Sequence, residues 1–497
     1  MYAKVQANQS PWIDSFNKLI ANAHAQTSWV PTPVPEITRG NVTGCAITSE
    51  DYKHAEDDAA AAYSLALRWK CTGDTSFANA AVTVLNAWPN RPCTNICGDS
   101  NLQLAAGLQG YQFASAAEIM RTYSGWSASD FTKFKNFLLN VFYPANEHYI
   151  TTHNGTCISH YWANWDLCNI ASIMAIGILC DDRAKYNEAL NYWKTGPGNG
   201  EITNAVPFVS NGYGQGQEEG RDQGHSGLDT ALEGVICTMA FHQGDDLFGY
   251  SNNRVLALCE YFARYNLGNT EAFYNTYNNC DNVNQTVISS TGRGDNRPSW
   301  DLIYNYYYNR ALVNCGYSSN YCLRLRPEGG NNDYGTQSGS YDQLGYTTLT
   351  ESIDRTPIAN GKFYIVSVNS GKYLDDLGVT TNGAPVGQWS SSGSNNQKWY
   401  VNYAGGGYYS IQNVADSQYL DNLGSTADSA TVAQWSNSGS RNQRWMIVPI
   451  GGSHYKIIDR FSGKCLDNGG QTGNGAIMAQ YHSTTLNNQQ WSFSTAP

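Results

Sequence analysis

Two periodicities divide the chain. From about residue 50 to 315, apolar residues recur at spacings of three and four, which predicts helices with a buried face. Ala59 to Trp69 carries an alanine run with Tyr63, Leu65, Leu67 and Trp69. Thr72-Gly73-Asp74-Thr75 then supplies a helix stop and a new cap, and Phe77 to Trp88 follows. Similar segments fall at about 101–123, 129–142, 162–180, 183–194, 227–242, 253–267 and 299–313. Paired helices in series predict an all-α domain of the α/α-toroid kind. The Gly/Asn-rich loops 195–224 and 281–297 are long enough to carry function, while 323–356 reads as loop and extended chain. Past residue 361 the pattern turns strand-like, at Phe363 to Val368, Tyr408 to Gln412 and Tyr455 to Ile458.

Those strands belong to a repeat. Leu374-Asp375, Leu420-Asp421 and Leu466-Asp467 are 46 residues apart, and so are the QxW triplets Gln397/Trp399, Gln443/Trp445 and Gln489/Trp491. A fixed period in two independent markers means three copies of one small unit, each too small to bury its own apolar face. At 497 residues the chain is too long for one core. The expected division is 1–355 for the helical domain, a linker at 356–361, and an all-β domain at 362–497.

The QxW repeat resembles the ricin-type β-trefoil lectin, also used as a carbohydrate-binding module. The resemblance implies one shallow sugar pocket per repeat: Asp375, Trp389 and Asn396; Asp421, Trp435 and Asn442; Asp467, Tyr481 and Asn488. Gly387, Ala433 and Ala479 stand where galactose-binding relatives often carry a polar residue, which argues against galactose specificity.

Composition narrows the setting. Only 14% of residues are charged, no apolar run reaches the ~18 residues a membrane span needs, and no leader opens the chain. Thirteen cysteines without metal-ligand spacing predict disulfides and a secreted protein whose signal has been removed. Cys465 replaces Tyr373 and Tyr419 of the other repeats and is expected as a buried thiol, leaving twelve for up to six bridges. Sequons at Asn41, Asn154 and Asn284 agree with secretion. Residues 362–497 hold 8 Lys+Arg against 7 Asp+Glu, and the rest 22 against 34, which disfavours a nucleic-acid partner.

The helical part carries ordered motifs: His153-Asn154-Gly155, Tyr161-Trp-Ala-Asn164-Trp165, Glu219-Gly-Arg221-Asp222-Gln223-Gly224-His225, and Arg297-Pro-Ser-Trp300 followed by Tyr304-Asn305-Tyr306. Over roughly 45–350 these resemble the alginate-lyase superfamily of toroid polysaccharide lyases, with the closest likeness to fungal glucuronan/mannuronan lyases of polysaccharide lyase family 38. The resemblance implies β-elimination on an acidic polysaccharide. That reaction needs donors on the uronate carboxylate, a base for the C5 proton and an acid for departing O4. Asn164 would neutralise the carboxylate, and its alternative is a helix cap or buried polar contact. His225 would be the base or a carboxylate donor, close to a loop-to-helix boundary with Arg221 and Gln223; Arg221 is equally a salt-bridge partner for Glu218 or Glu219. Tyr304 would be the acid, and also the base in a syn elimination, although the family's Tyr-Asn-His-Tyr reads Tyr306 at the histidine. Arg297 is a uronate clamp or a loop brace, and His153 and His160 are alternative bases. No HExxH motif or Cys/His cluster calls for a metal or other cofactor. Two rival readings remain: a glycoside hydrolase using two of Glu218, Glu219, Asp222 and Asp229, and a non-catalytic lectin.

Overall fold

The computed structural model describes residues 1–91, 93–311, 313–334, 340–353, 358–405, 408–484 and 486–497. Its contacts separate two units, Met1–Ile303 with Pro327–Ser352, and Tyr304–Arg326 with Ile353–Pro497.

The first unit is helical. Its helices are α1 (Tyr2–Gln6), α2 (Trp12–Ala21), α3 (Lys53–Thr72), α4 (Thr75–Asn90), α5 (Leu102–Met120), α6 (Ala128–Phe137), α7 (Tyr143–Thr152), α8 (Ala163–Leu179), α9 (Arg183–Thr195), α10 (Ile202–Ala205), α11 (Gln223–His242) and α12 (Tyr250–Asn266). Helices α5, α8 and α11 are buried nearly all round, whereas α4 and α9 bury one stripe. A helix apolar on every side belongs inside and a striped one outside. Direction follows from close contacts. Gly107 of α5 lies on Cys168 of α8 and Gly110 lies on Ser172, so the two helices run parallel. Gly177 of α8 meets Tyr186 of α9, a tight antiparallel return. Gln223 of α11 bonds Asn266 of α12 while Gly227 faces Phe262, a second return. Parallel inner helices with antiparallel outer partners make the expected α/α toroid. The geometry sets the N-termini of α5, α8 and α11 at one end, where their dipoles favour negative charge.

The second unit holds the repeat. Strands Gly361–Ser367, Tyr408–Asn413 and His454–Asp459 are its equivalents in sequence order. Four layers of three residues fill the core: Ile365, Ile411 and Ile457; Leu374, Leu420 and Leu466; Val386, Val432 and Met478; Trp399, Trp445 and Trp491. Each tryptophan donates its indole N–H to the carbonyl of the leucine in its own repeat, at 2.9, 2.9 and 3.1 Å. No repeat could close this core alone, which explains the fixed period.

Several expectations change. Tyr304–Arg326 groups with the trefoil rather than with the helical domain: Tyr308 donates to the Ile447 carbonyl, and Asn320 packs against Gly463. A helix, Gly316–Leu325, occupies part of the stretch read as loop and extended chain. Positions 354–357, including the start of the expected linker, lie outside the described residues. Among the described residues two disulfides form, Cys45–Cys97 and Cys157–Cys280, fewer than the six that twelve cysteines allow. Cys465 is a buried thiol, as expected. No helix among the described residues is long and apolar enough to cross a membrane.

Candidate functional site

The loop 215–222 meets the N-termini of α8 and α11, and its amide and carboxylate side chains satisfy N–H groups there. Gln217 Oε1 accepts from Ala163 N–H at 2.7 Å, and Glu218 Oε1 accepts from Asn164 N–H at 3.0 Å and from Asn164 Nδ2 at 2.6 Å. The other oxygen of Glu218 accepts from Arg221 at 2.7 Å. Asp222 caps α11: its Oδ1 accepts from His225 N–H at 2.8 Å, while its Oδ2 lies 2.7 Å from His225 Nδ1 and 3.8 Å from Arg221 Nε. Asn164, Arg221 and His225 are thus joined through two carboxylates. Glu218 and Asn164 are buried, whereas Arg221 and His225 are partly exposed at 28% and 38% of their side chains.

Arg221 lines a cleft of about 450 Å³ with His160, Tyr161, Trp162, Trp165 and Asp281. Its guanidinium sits 5.5 Å from the Trp162 ring centre. His160 Nδ1 is 2.7 Å from Asp281 Oδ2, and Cys157–Cys280 ties the same two segments together, so the wall of the cleft is braced twice.

Burial and charge set protonation around this frame. For Asp222 burial pushes upward, but the hydrogen bond and charge of His225 outweigh it and hold the carboxyl below its ordinary value. Burial, then the charges of Glu218 and Glu233, push the Asp229 carboxyl well up. Burial pushes Glu219 up to about 7. Glu218 accepts from Asn164 and Arg221, Glu219 from Gln223 and Asp222 from His225, so three of the four carboxyls that a hydrolase reading would use are engaged by these side chains.

The other expected residues fall elsewhere. Gln223 is buried, donating to Glu219 Oε2 at 3.0 Å and accepting from Asn266 at 2.7 Å. Arg297 is also buried; it donates to the Gly224 carbonyl at 3.1 Å and pairs with Asp342 at 3.0 Å, contacts that brace the loop. His153 is buried with Asp166 Oδ1 at 3.1 Å and the Tyr192 hydroxyl at 3.1 Å. Tyr304 is buried in the second unit, stacked on Tyr308 at 4.9 Å with the Arg326 guanidinium 4.7 Å from its ring. Asn164 is buried and donates to Glu218 Oε1. Sequence reasoning missed Asp222 as the partner of His225 and Asp281 as that of His160. The first was signalled by the three-residue step from Asp222 to His225, the same step that separates Glu218 from Arg221.

In the trefoil each aspartate is held alike. Asp375, Asp421 and Asp467 accept from the backbone N–H two residues on, at 2.8, 2.7 and 2.6 Å, and from the QxW glutamine at 2.9 Å in every repeat. Asn442 and Asn488 also donate to their aspartates, at 2.5 and 2.7 Å. Asn396 bonds Asp376 instead, an acid where the other repeats carry Asn422 and Asn468. Asp375, Asp421 and Asp467 pair across the hairpin with Gly387, Ala433 and Ala479. Trp389 and Trp435 are exposed, and Tyr481 lies 4.3 Å from the His482 ring.

A family model described as alginate lyase matches residues 3–273, and one described as ricin-type beta-trefoil lectin domain-like matches 351–435, 395–481 and 441–497. Among solved structures, the designed three-fold symmetric protein ThreeFoil is 40% identical over 27% of this chain and 98% of its own, with a TM-score of 0.27. An exo-beta-1,3-galactanase from Clostridium thermocellum is 34% identical over 30% of this chain and 33% of its own, with a TM-score of 0.27. The Rhizoctonia solani agglutinin is 22% identical over 29% and 99%, with a TM-score of 0.26. No curated protein matches the chain.

Proposed function

The chain belongs to the alginate lyase family and joins a polysaccharide lyase domain to a ricin-type trefoil, and we propose that it is secreted and cleaves β-1,4-linked polyuronates, glucuronan or polymannuronate, by β-elimination. The observation that carries this reading is the pairing of Arg221 and His225 through Asp222 beside a tryptophan-lined cleft.

A guanidinium has five N–H donors, so Arg221 holds Glu218 and still offers donors to the substrate carboxylate, drawing off charge as the C5 proton leaves. His225, donating from Nδ1 to Asp222, keeps a lone pair on Nε2 to take that proton. The C5–H electron pair becomes the C4=C5 double bond, the C4–O4 bond breaks, and O4 takes a proton. His160, backed by Asp281 on the same cleft, is the acid we assign to that last transfer, since Tyr304 is enclosed by Tyr308 and Arg326. Trp162 and Trp165 offer flat faces to sugar rings. In the trefoil, Asp375, Asp421 and Asp467 with Trp389, Trp435 and Tyr481 take sugars of the same polymer or its surroundings.

Incubation with glucuronan, polymannuronate and polyguluronate, followed by ultraviolet absorbance of the unsaturated uronate beside a reducing-end assay, tests this. Absorbance rising with reducing ends on the first two polymers is expected. Reducing ends without absorbance would replace elimination by hydrolysis, and binding without either signal would leave a lectin.

A further inference from the structure

The 46-residue period sets each position of the trefoil beside two equivalents, and one junction between repeats departs from the other two. At those two, a buried glutamine carbonyl collects two donors. Gln388 Oε1 accepts from Ser370 Oγ at 2.7 Å and from Asn468 Nδ2 at 3.3 Å. Gln480 Oε1 accepts from Ser462 Oγ at 2.8 Å and from Asn422 Nδ2 at 3.1 Å. The equivalent glutamine at the third junction is Gln434, and there Asp416 stands for the serine and Asp376 for the asparagine. An ionised carboxylate only accepts. Gln434 Oε1, Asp376 Oδ2 and Asp416 Oδ2 accordingly have no hydrogen-bond partner among the described residues, although all three atoms are buried. Gln434 and Asp376 are themselves more than nine-tenths buried.

Charge deepens the mismatch. Two carboxylates enter the third junction, and Gln418 stands where the other repeats carry Lys372 and Lys464, so the ammonium of those positions is lost as well. Burial, with the negative charges of Asp416 and Asp375, pushes Asp376 up to about 6 against the opposing Gly378 N–H. An uncompensated buried charge is strongly destabilising, so buried carboxylates are paired or coordinate metals.

Size, spacing and charge choose what lies among these oxygens. None of the three offers surface to a water molecule, so the occupant is smaller than water and bare on that side. At the other junctions the equivalent donors stand 2.7 to 3.3 Å from the glutamine oxygen, a spacing also found between oxygens that share one ion at bonds of roughly 2.3–2.6 Å. Hard oxygen ligands carrying two negative charges select calcium. Magnesium demands shorter bonds and keeps its waters, and sodium would neutralise only one of the two charges. Asp416 is half-buried, which gives the ion a route from solvent and leaves its outer side to water.

We propose that Asp376 Oδ2, Asp416 Oδ2 and Gln434 Oε1 form a calcium site that clamps the first repeat of the trefoil to the second.

Calorimetric titration of the chelator-treated full chain with calcium chloride, at neutral pH in physiological sodium chloride, should show a saturable site with a Kd below about 1 mM, the range of extracellular calcium modules. Calcium should also raise the melting temperature, and magnesium should bind at least about tenfold more weakly. Asp376→Asn combined with Asp416→Ser rebuilds the donor pair of the other junctions. That variant should fold without calcium, melt no lower than the calcium-free parent, and lose both calcium responses. Either substitution alone restores one donor and should weaken calcium at least about tenfold. Absence of saturable calcium binding, a response that survives the double substitution, or an equal response to magnesium would overturn the proposal. A parent stabilised by mild acid but indifferent to calcium would overturn it too, by putting a proton in the ion's place.

Discussion

Asp222 does three things with two oxygens: it caps α11, orients His225 and approaches Arg221. Asp222→Asn keeps an acceptor for the cap but removes the charge that fixes the imidazole. Elimination should fall by about 100-fold or more with the melting temperature little changed; an equally active variant would remove His225 from the base role. Arg221→Lys offers one ammonium in place of a planar fork, and it cannot serve Glu218 and a carboxylate together. Its kcat/KM should drop by on the order of 100-fold, read from the same ultraviolet assay. Glu219 gives a pH test. Burial raises it from 4.5 to about 7, so the folded chain keeps a proton that the unfolded chain has lost. Its stabilising contribution is full below pH 4.5 and declines until the folded group titrates near 7, a change of at most about 3 kcal/mol. Glu219→Gln does not titrate, so its melting temperature relative to the parent should rise between pH 4.5 and 8; a constant difference would show that Glu219 keeps an ordinary value. Arg221 and His225 were legible in the sequence because they stand in a motif close to where a helix begins, although the Asp222 partner of His225 was not read from it. Asn164 was legible too, but its partner was not, because its bond to Glu218 spans 54 residues and no local pattern encodes it. The surroundings of Tyr304 were hidden for a similar reason: four tyrosines within five positions look alike until packing separates them.

Among the elements, the joint between α5 and α8 positions the site, since α8 begins with the residues that Gln217 and Glu218 cap. A Cβ on Gly107 would stand 2.3 Å from Cys168 Sγ and 2.8 Å from its backbone carbon, and one on Gly110 would stand 2.1 Å from Ser172 Oγ. Gly107→Val must therefore push the helices apart. Overpacking of this kind costs about 1–3 kcal/mol, and the displaced α8 should also lose elimination activity. Urea unfolding checks the first effect, with an unchanged midpoint counting against the close approach. The element pattern shows which signals survive translation into structure. The inner helices were legible because alanine and large apolar residues recur through α3, α5 and α8. The start of α11 falls four residues before its apolar pattern, because a capping aspartate rather than burial sets it. Helices α1, α2 and α7 were not foreseen; α7 buries only Asn146, Tyr149 and Ile150, too narrow a stripe to stand out. The trefoil was the most legible part, since three copies of every core layer repeat the same evidence.

At the scale of the molecule, charge is divided unevenly, and the division bears on how a polyanion reaches the cleft. Residues 362–497 are nearly balanced, at 8 basic against 7 acidic, while the remainder carries 22 against 34. A polyuronate approaching the lyase domain therefore meets net repulsion at long range and attraction at short range near Arg221 and the inner helix N-termini. Salt separates these two effects by distance. The screening length shrinks from about 30 Å at 0.01 M to about 8 Å at 0.15 M, which removes the distant repulsion but leaves a contact of a few ångströms largely intact. The KM for polyuronate should accordingly fall several-fold over that range while kcat stays constant, and trefoil binding to a neutral oligosaccharide should not respond. Steady-state rates at three or four ionic strengths decide the matter. A KM that rises with salt would mean that local positive charge at the cleft dominates capture even at long range, and the acidic surround would then be irrelevant to substrate encounter.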